Sequence, residues 1–297
     1  MKVIWPASLD QAAQFAAEAG AALMAGGCEF KQLLPESQPT ALILLSGIPD
    51  LLGLDAHPKK GLVIGGSVKL CDIANNLWIA KRWAALHEAA EQLMPPQIRH
   101  TGTVVGNLCA GVAHYDMATA LMALRARLLI YRHSAFAEIA LRDFYLTNGQ
   151  PDLRPGDIVV KVLAEPPVPD AGSAFRKILK IQRHINDLPK VSAAAYIALD
   201  AKAQTIVDAT VAIGCCGASP IRVDAAEKAL VGSPAQHSSY AGAGRIAAAA
   251  AGSLTEITSL EQTRRRLVEI LVRDSIEQAA SRARSKHDPF EDARDLV

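Results

Sequence analysis

Three prolines in four residues, Pro166-Pro167-Val168-Pro169, constrain this chain more than any other feature. Proline fixes φ near about −65° and pushes the preceding residue out of the helical region, so the segment is stiff and extended. It divides 297 residues, more than one typical domain, into stretches of different pattern. Before it, short apolar strands alternate with helices. After it, the pattern predicts three strands at Ala174–Gln182, Val191–Leu199 and Thr205–Ile213, then three helices at Ala225–Leu230, Tyr240–Ala251 and Ser259–Ala283. The polar tail after Lys286 is expected to fray.

The N-terminal stretch reads as a small β-α-β unit. Val3–Trp5 is a strand that Pro6 stops. Ser8 caps a helix and Gln11 completes its capping box. Gly20 ends that helix, Ala21–Met24 and Ala41–Leu45 are strands, and Glu29–Leu34 is a short helix closed by Pro35. A second unit begins at the strand Leu62–Ile64. Its helix Arg82–Leu93 is broken by Pro95-Pro96, and Ile98–Asn107 reads as a glycine-flanked loop. A helix at Ala118–Ala126 and strands at Leu128–Tyr131 and Asp157–Leu163 follow.

Composition excludes several classes. Half the residues are apolar and 21% are charged, which is globular rather than disordered. Lys plus Arg is 31 against 30 for Asp plus Glu, so no net field draws the chain to nucleic acid or an anionic membrane. No apolar run approaches the roughly 20 residues of a membrane span. The N-terminus does not read as a signal peptide, and the expected location is cytoplasmic. The five cysteines, Cys28, Cys71, Cys109, Cys215 and Cys216, contain no C-x-x-C pair and the eight histidines fall singly. Neither a disulfide framework nor a metal or iron–sulfur site held by this chain is expected.

Two glycine loops are the candidate binding features. In Ala25-Gly26-Gly27-Cys28-Glu29-Phe30 adjacent glycines let backbone N–H groups approach a phosphate; an ordinary tight turn is the plainer reading. In Thr101–Asn107, Thr and Asn side chains flank glycines and could bond phosphate or ribose hydroxyls; a connection after a helix is the alternative. The pair together point to a dinucleotide held by two backbones. Asp116, just before a helix, is either a helix cap or an acceptor for a cofactor hydroxyl. Lys177, Lys180 and Arg183 could pair a phosphate, but strand-edge solvation is the favoured reading, and Cys215-Cys216 read as buried thiols. Gly242-Ala243-Gly244 imitates a Rossmann fingerprint, but no strand precedes it and it reads as part of a helix. No G-x-x-x-x-G-K-[ST] or G-x-S-x-G motif occurs.

In order, Ala25-Gly26-Gly27, then Ile98-Arg99-x-x-Gly102-Thr103-Val104-Val105-Gly106-Asn107-Leu108, then Asp116 resemble the flavin-binding medium subunit of molybdenum hydroxylases, relatives of xanthine dehydrogenase and carbon monoxide dehydrogenase. Ile48-Pro49-Asp50-Leu51 with Gly53 resembles a strand of that family, and Leu62–Gly66 with Asp72-Ile73 a turn. Lys180-Ile181-Gln182-Arg183 with Asp187-Leu188-Pro189 and Gly217-Ala218-x-Pro220-Ile221-Arg222 with Glu227, Leu230 and Gly232 continue the resemblance to about residue 275. The chain departs from the family pattern at Cys28, Glu29 and Phe30, at Val105 where a glycine is usual, and at Val112-Ala113. It also lacks the Cys-rich insert of some relatives.

The resemblance implies an α+β protein. Residues 1–55 and 56–168 would be two small α/β domains forming a vanillyl-alcohol-oxidase-like (PCMH-type) FAD-binding unit. Residues 169–297 would form a three-stranded antiparallel sheet with a helical bundle. It implies non-covalent FAD held by Ala25, Gly26, Gly27, Cys28, Glu29, Phe30, Thr103, Val105, Gly106, Asn107, Asp116 and Lys180, with no catalytic acid or base in this chain. The implied partners are a large subunit with the molybdenum cofactor and a small subunit with [2Fe–2S] clusters, in a heterotrimer passing electrons to an external acceptor. Val105 and Glu29 motivate a second reading, a flavin-free structural subunit; a stand-alone flavin oxidase is a third.

Overall fold

The computed structural model describes residues 1–29, 39–57, 59–93, 95–179, 189–252 and 258–285. It opens with β1 (Lys2–Ile4), α1 (Leu9–Ala16), β2 (Ala21–Met24) and β3 (Ala41–Leu44), the strands forming a parallel sheet of order β1-β3-β2. Ser8 caps α1 by accepting from the Gln11 amide at 3.3 Å. The Gln11 side chain accepts from Ala7, one residue earlier than a standard capping box places it. Gly20, at φ +77°, turns the chain into β2.

The expected strand at Ile48–Leu51 is instead a single 3-10 turn over Pro49–Leu51. Pro49 has no N–H to give a sheet. The strand forms just beyond, as β4 (Leu54–His57), followed by β5 (Gly61–Gly65). Six helices come next: α2 (Leu70–Ala74), α3 (Leu77–Arg82), α4 (Ala84–Glu91), α5 (Pro96–Thr101), α6 (Val104–Cys109) and α7 (Asp116–Ala123). The helix expected from Arg82 starts at Ala84, because Trp83 leaves helical geometry at φ −122°, ψ 50°. Its ring is buried and its Nε1 donates to the Glu165 carbonyl at 3.1 Å. Pro96 begins α5 rather than only ending α4; at a helix start its missing N–H costs nothing. The expected loop Ile98–Asn107 is therefore two short helices bent at Gly102-Thr103.

Strands β6 (Arg127–Arg132), β7 (Ala135–Ala140) and β8 (Ile158–Ala164) complete an antiparallel sheet of order β4-β5-β8-β6-β7. One apolar core joins this sheet to α2, α3, α4, α6 and α7. Beyond the proline run, β9 (Ala171–Leu179), β10 (Pro189–Leu199) and β11 (Ile206–Gly214) are antiparallel, as expected, with a two-residue fourth strand β12 (Ile221–Arg222) on the edge of β11. Helices α8 (Asp224–Leu230), α9 (His237–Ala250) and α10 (Thr258–Arg284) share a second core with these strands. The Gly242–Gly244 imitation lies inside α9. A Cβ on Gly244 would meet the Glu269 carbonyl at 2.5 Å, so this glycine serves close packing of α9 on α10. Among the described residues, no helix is long and apolar enough to cross a membrane.

Candidate functional site

The two glycine loops, about 75 residues apart in sequence, touch directly. A Cβ built on Gly26 would lie 2.2 Å from the Thr101 carbonyl oxygen and 2.8 Å from the Gly102 Cα, so only glycine fits this crossing. Gly27, at φ +72°, is needed for a different reason: its backbone is left-handed. The Cys28 thiol faces the Ile98 carbonyl at 4.0 Å and lies against Gly102. Burial, then the charge of Glu29, push that thiol's pKa up, so it rests protonated. The short helix expected from Glu29 to Leu34, and with it Phe30, lies outside the described residues.

The second loop is pinned from beneath. The Leu70 amide donates to Gly102 O at 3.0 Å and the Val104 amide to Val68 O at 3.1 Å. Thr103 caps α6, its Oγ1 accepting from the Gly106 amide at 2.9 Å. Val105, standing where the family pattern has glycine, turns its methyls into the apolar core and is 7% exposed. Asn107, two residues on, has its side-chain Oδ1 buried without a hydrogen-bond partner among the described residues.

Asp116 is the first residue of α7 but does not cap it; Tyr115 holds the cap position without a side-chain bond. Instead Asp116 Oδ2 accepts from Lys177 Nζ at 2.7 Å, with both side chains buried. The lysine also donates to the Gln92 carbonyl at 2.8 Å. Asp116 Oδ1 is buried with no partner among the described residues. Burial raises the Asp116 carboxyl above its ordinary range, and Lys177 offsets this only in part. The expectation that Lys177 faces solvent is thus wrong. The signal against it was adjacent Ala174 and Phe175, both wholly buried, as in a strand covered on both faces. Lys180 and Arg183 lie outside the described residues.

Tyr115, which sequence reasoning passed over, joins the first loop to the start of α7. Its hydroxyl donates to Glu29 Oε1 across 86 residues of chain. His114 packs edge-on against its ring, centroids 5.2 Å apart. Burial raises the Glu29 carboxyl and lowers the His114 imidazole. The site therefore gathers residues 25–29 and 101–107 and Asp116, which the sequence had nominated separately, and adds His114 and Tyr115. Cys215 and Cys216 are buried, 3% exposed each, with burial pushing the Cys216 thiol up to about 12, so both are unreactive as expected. Among the described residues no group of three or more His, Cys, Asp or Glu could hold a metal.

Residues 1–164 match the family model described as the FAD-binding domain in molybdopterin dehydrogenase, and residues 174–279 the carbon monoxide dehydrogenase flavoprotein C-terminal domain. The chain belongs to the FAD-binding family of the molybdopterin dehydrogenases. It is thus an oxidoreductase component. The 6-hydroxypseudooxynicotine dehydrogenase complex subunit alpha of Paenarthrobacter nicotinovorans is 25% identical, with 93% of each chain covered. The carbon monoxide dehydrogenase medium chain of Afipia carboxidovorans is 24% identical, over 83% of this chain and 84% of that one. Among solved structures, one of the Cu,Mo-CO dehydrogenase superposes with a TM-score of 0.86 at 22% identity, covering 95% of this chain and 98% of that chain. The quinoline 2-oxidoreductase from Pseudomonas putida 86 gives 0.84 at 23% identity, with the same coverage. At that identity the likeness shows the fold, and it is the PCMH-type FAD-binding fold with a C-terminal antiparallel sheet.

Proposed function

We propose that this chain is the flavin subunit of a multi-subunit molybdenum hydroxylase and that FAD is held where residues 25–28, 103–107 and 116 converge, with the Glu29 side chain turned aside at the edge of the site. The observation that carries the placement is the pair of buried oxygens without partners among the described residues, Asp116 Oδ1 and Asn107 Oδ1, in two segments nominated for the cofactor. A buried acceptor left unpaired costs roughly 1–3 kcal/mol, so such atoms suit a ligand that brings donors. When bound, FAD supplies a two-electron carrier that can also pass single electrons. Gly26 and Gly27 keep side chains off the strand-to-loop turn, Thr103 fixes the backbone at Gly106, and Lys177 holds Asp116 so that one oxygen stays available.

The proposed route takes electrons from [2Fe–2S] clusters of a small subunit, with a large subunit carrying the molybdenum cofactor, to an external acceptor. Relatives named as a complex subunit alpha and as a medium chain support this assembly. The flavin-free alternative loses its two motives: Val105 points into the core, and the Glu29 carboxylate is engaged by Tyr115. The purified complex should show a flavin band near about 450 nm, a property of the cofactor. Acid precipitation should release it to the supernatant at one FAD per chain. A colourless complex, with this subunit present and folded, would reject the reading.

A further inference from the structure

Glu29 sets a physical problem for the FAD placement just proposed, on which this inference rests. It lies two residues past Gly27, where a carboxylate beside a pyrophosphate is repelled. Among the described residues no cation pairs with it; its partner there is the Tyr115 hydroxyl. Tyr115 is itself fixed. Its amide donates to Val112 O at 3.0 Å, His114 packs on its ring, and it holds the cap position of α7 immediately before Asp116. The bond therefore draws the Glu29 side chain toward the start of α7, while Gly26 remains against the second loop.

We propose that Tyr115 is a positioning residue for the cofactor: its hydroxyl holds the Glu29 carboxylate on the α7 side of the cleft, clear of the pyrophosphate. The chain thereby tolerates a negative side chain in a phosphate-binding loop. Removing the hydroxyl frees the carboxylate to swing back. Removing the charge makes the hydroxyl dispensable.

The test is a double-mutant cycle on the full chain in its complex, stripped of flavin and titrated with FAD by quenching of flavin fluorescence. Tyr115→Phe should raise Kd about tenfold, the size of one close like-charge contact at a partly screened site. Glu29→Gln alone should stay within about twofold of wild type, and Tyr115→Phe/Glu29→Gln should return to that range. Raising salt should shrink the Tyr115→Phe loss, because the repulsion it uncovers is screened. A Tyr115 with a merely structural role gives a double variant as weak as Tyr115→Phe, and that result overturns the proposal. So does Glu29→Gln binding as weakly as Tyr115→Phe, which would make the carboxylate a ligand, or Tyr115→Phe binding like wild type. Gly26→Val, verified as folded by its unfolding midpoint, separates the two claims. If it binds FAD like wild type, the cofactor lies elsewhere and both claims fall. If it abolishes binding while the cycle shows no rescue, only the role of Tyr115 is wrong.

Discussion

Glu88 and Asp116 are both carboxylates on helices of the α2–α7 layer, and both take a cation from beyond the proline run. They are finished to different degrees. Glu88, on α4, accepts from the Phe175 amide at 2.8 Å, Arg282 Nη2 at 2.5 Å and Gln278 Nε2 at 3.3 Å, so both its oxygens are used. Asp116, on α7, has Lys177 on one oxygen, while the other is buried with no partner among the described residues. A buried polar group without a partner costs free energy that selection for stability alone would remove. The difference separates a tie that builds the fold from a group that serves a ligand.

The largest expected effect breaks the finished tie. Glu88→Ala leaves the Phe175 amide without its acceptor and the Arg282 guanidinium with only the Ser173 carbonyl, and should lower unfolding free energy by about 3 kcal/mol in denaturant titrations. A loss under about 1 kcal/mol would mean that water replaces the network. Lys177→Met attacks the other pair and should cost about 2 kcal/mol at neutral pH, less than Glu88→Ala because a proton can replace the lost cation. Its pH dependence has a definite sign. Burial already raises the Asp116 carboxyl, and without Lys177 nothing opposes that rise. The folded state then holds the proton more tightly than the unfolded state. Relative to wild type, stability is greatest below the ordinary carboxylate range and falls as pH rises through the raised folded value. Unfolding midpoints from pH 5 to 8 check this; a flat difference would contradict it.

The smallest effect belongs to a surface pair across the same seam. Arg142 reaches Asp224 at 2.9 Å, with side chains 41% and 51% exposed. Hydrogen bonding to Arg142 holds the Asp224 carboxyl below its ordinary range. This contribution is present above the ordinary carboxylate value and is lost as pH falls through the depressed one. Arg142→Ala should cost at most about 0.5 kcal/mol at neutral pH and nothing in strong acid, measured by chemical denaturation. A larger loss would place this pair with Glu88.

Much of the fold around these two carboxylates was legible in the sequence, and the missing part has physical causes. The cap at Ser8, the strands at Ala21–Met24 and Ala41–Leu44, and the three C-terminal helices follow from local capping and periodicity. The proline run falls where expected, between β8 and β9. Strand β7 was missed because its hairpin turns through His133 and Ser134, both at positive φ. The Arg-His-Ser-Ala sequence carries none of the Asn-Gly signal such a turn usually has. The break at Trp83 is set by burial of its ring and its bond to Glu165, a contact from 82 residues away. In the site, Gly26, Gly27, Thr103 and Asp116 were nominated by residue type. Lys177 and Tyr115 were not, because their roles exist only once β9 lies on α7 and the first loop meets the start of that helix.

The most direct test of the contrast compares FAD affinity in Glu88→Gln and Asp116→Asn, each titrated under conditions where it is fully folded. Both lose a buried charge and both should lose stability. Glu88→Gln should keep its Kd within about twofold of wild type, whereas Asp116→Asn should raise it about tenfold or more, as expected for a lost charged hydrogen bond. Unchanged affinity in Asp116→Asn, or an equal loss in both variants, would contradict the assignment of Asp116 to the cofactor.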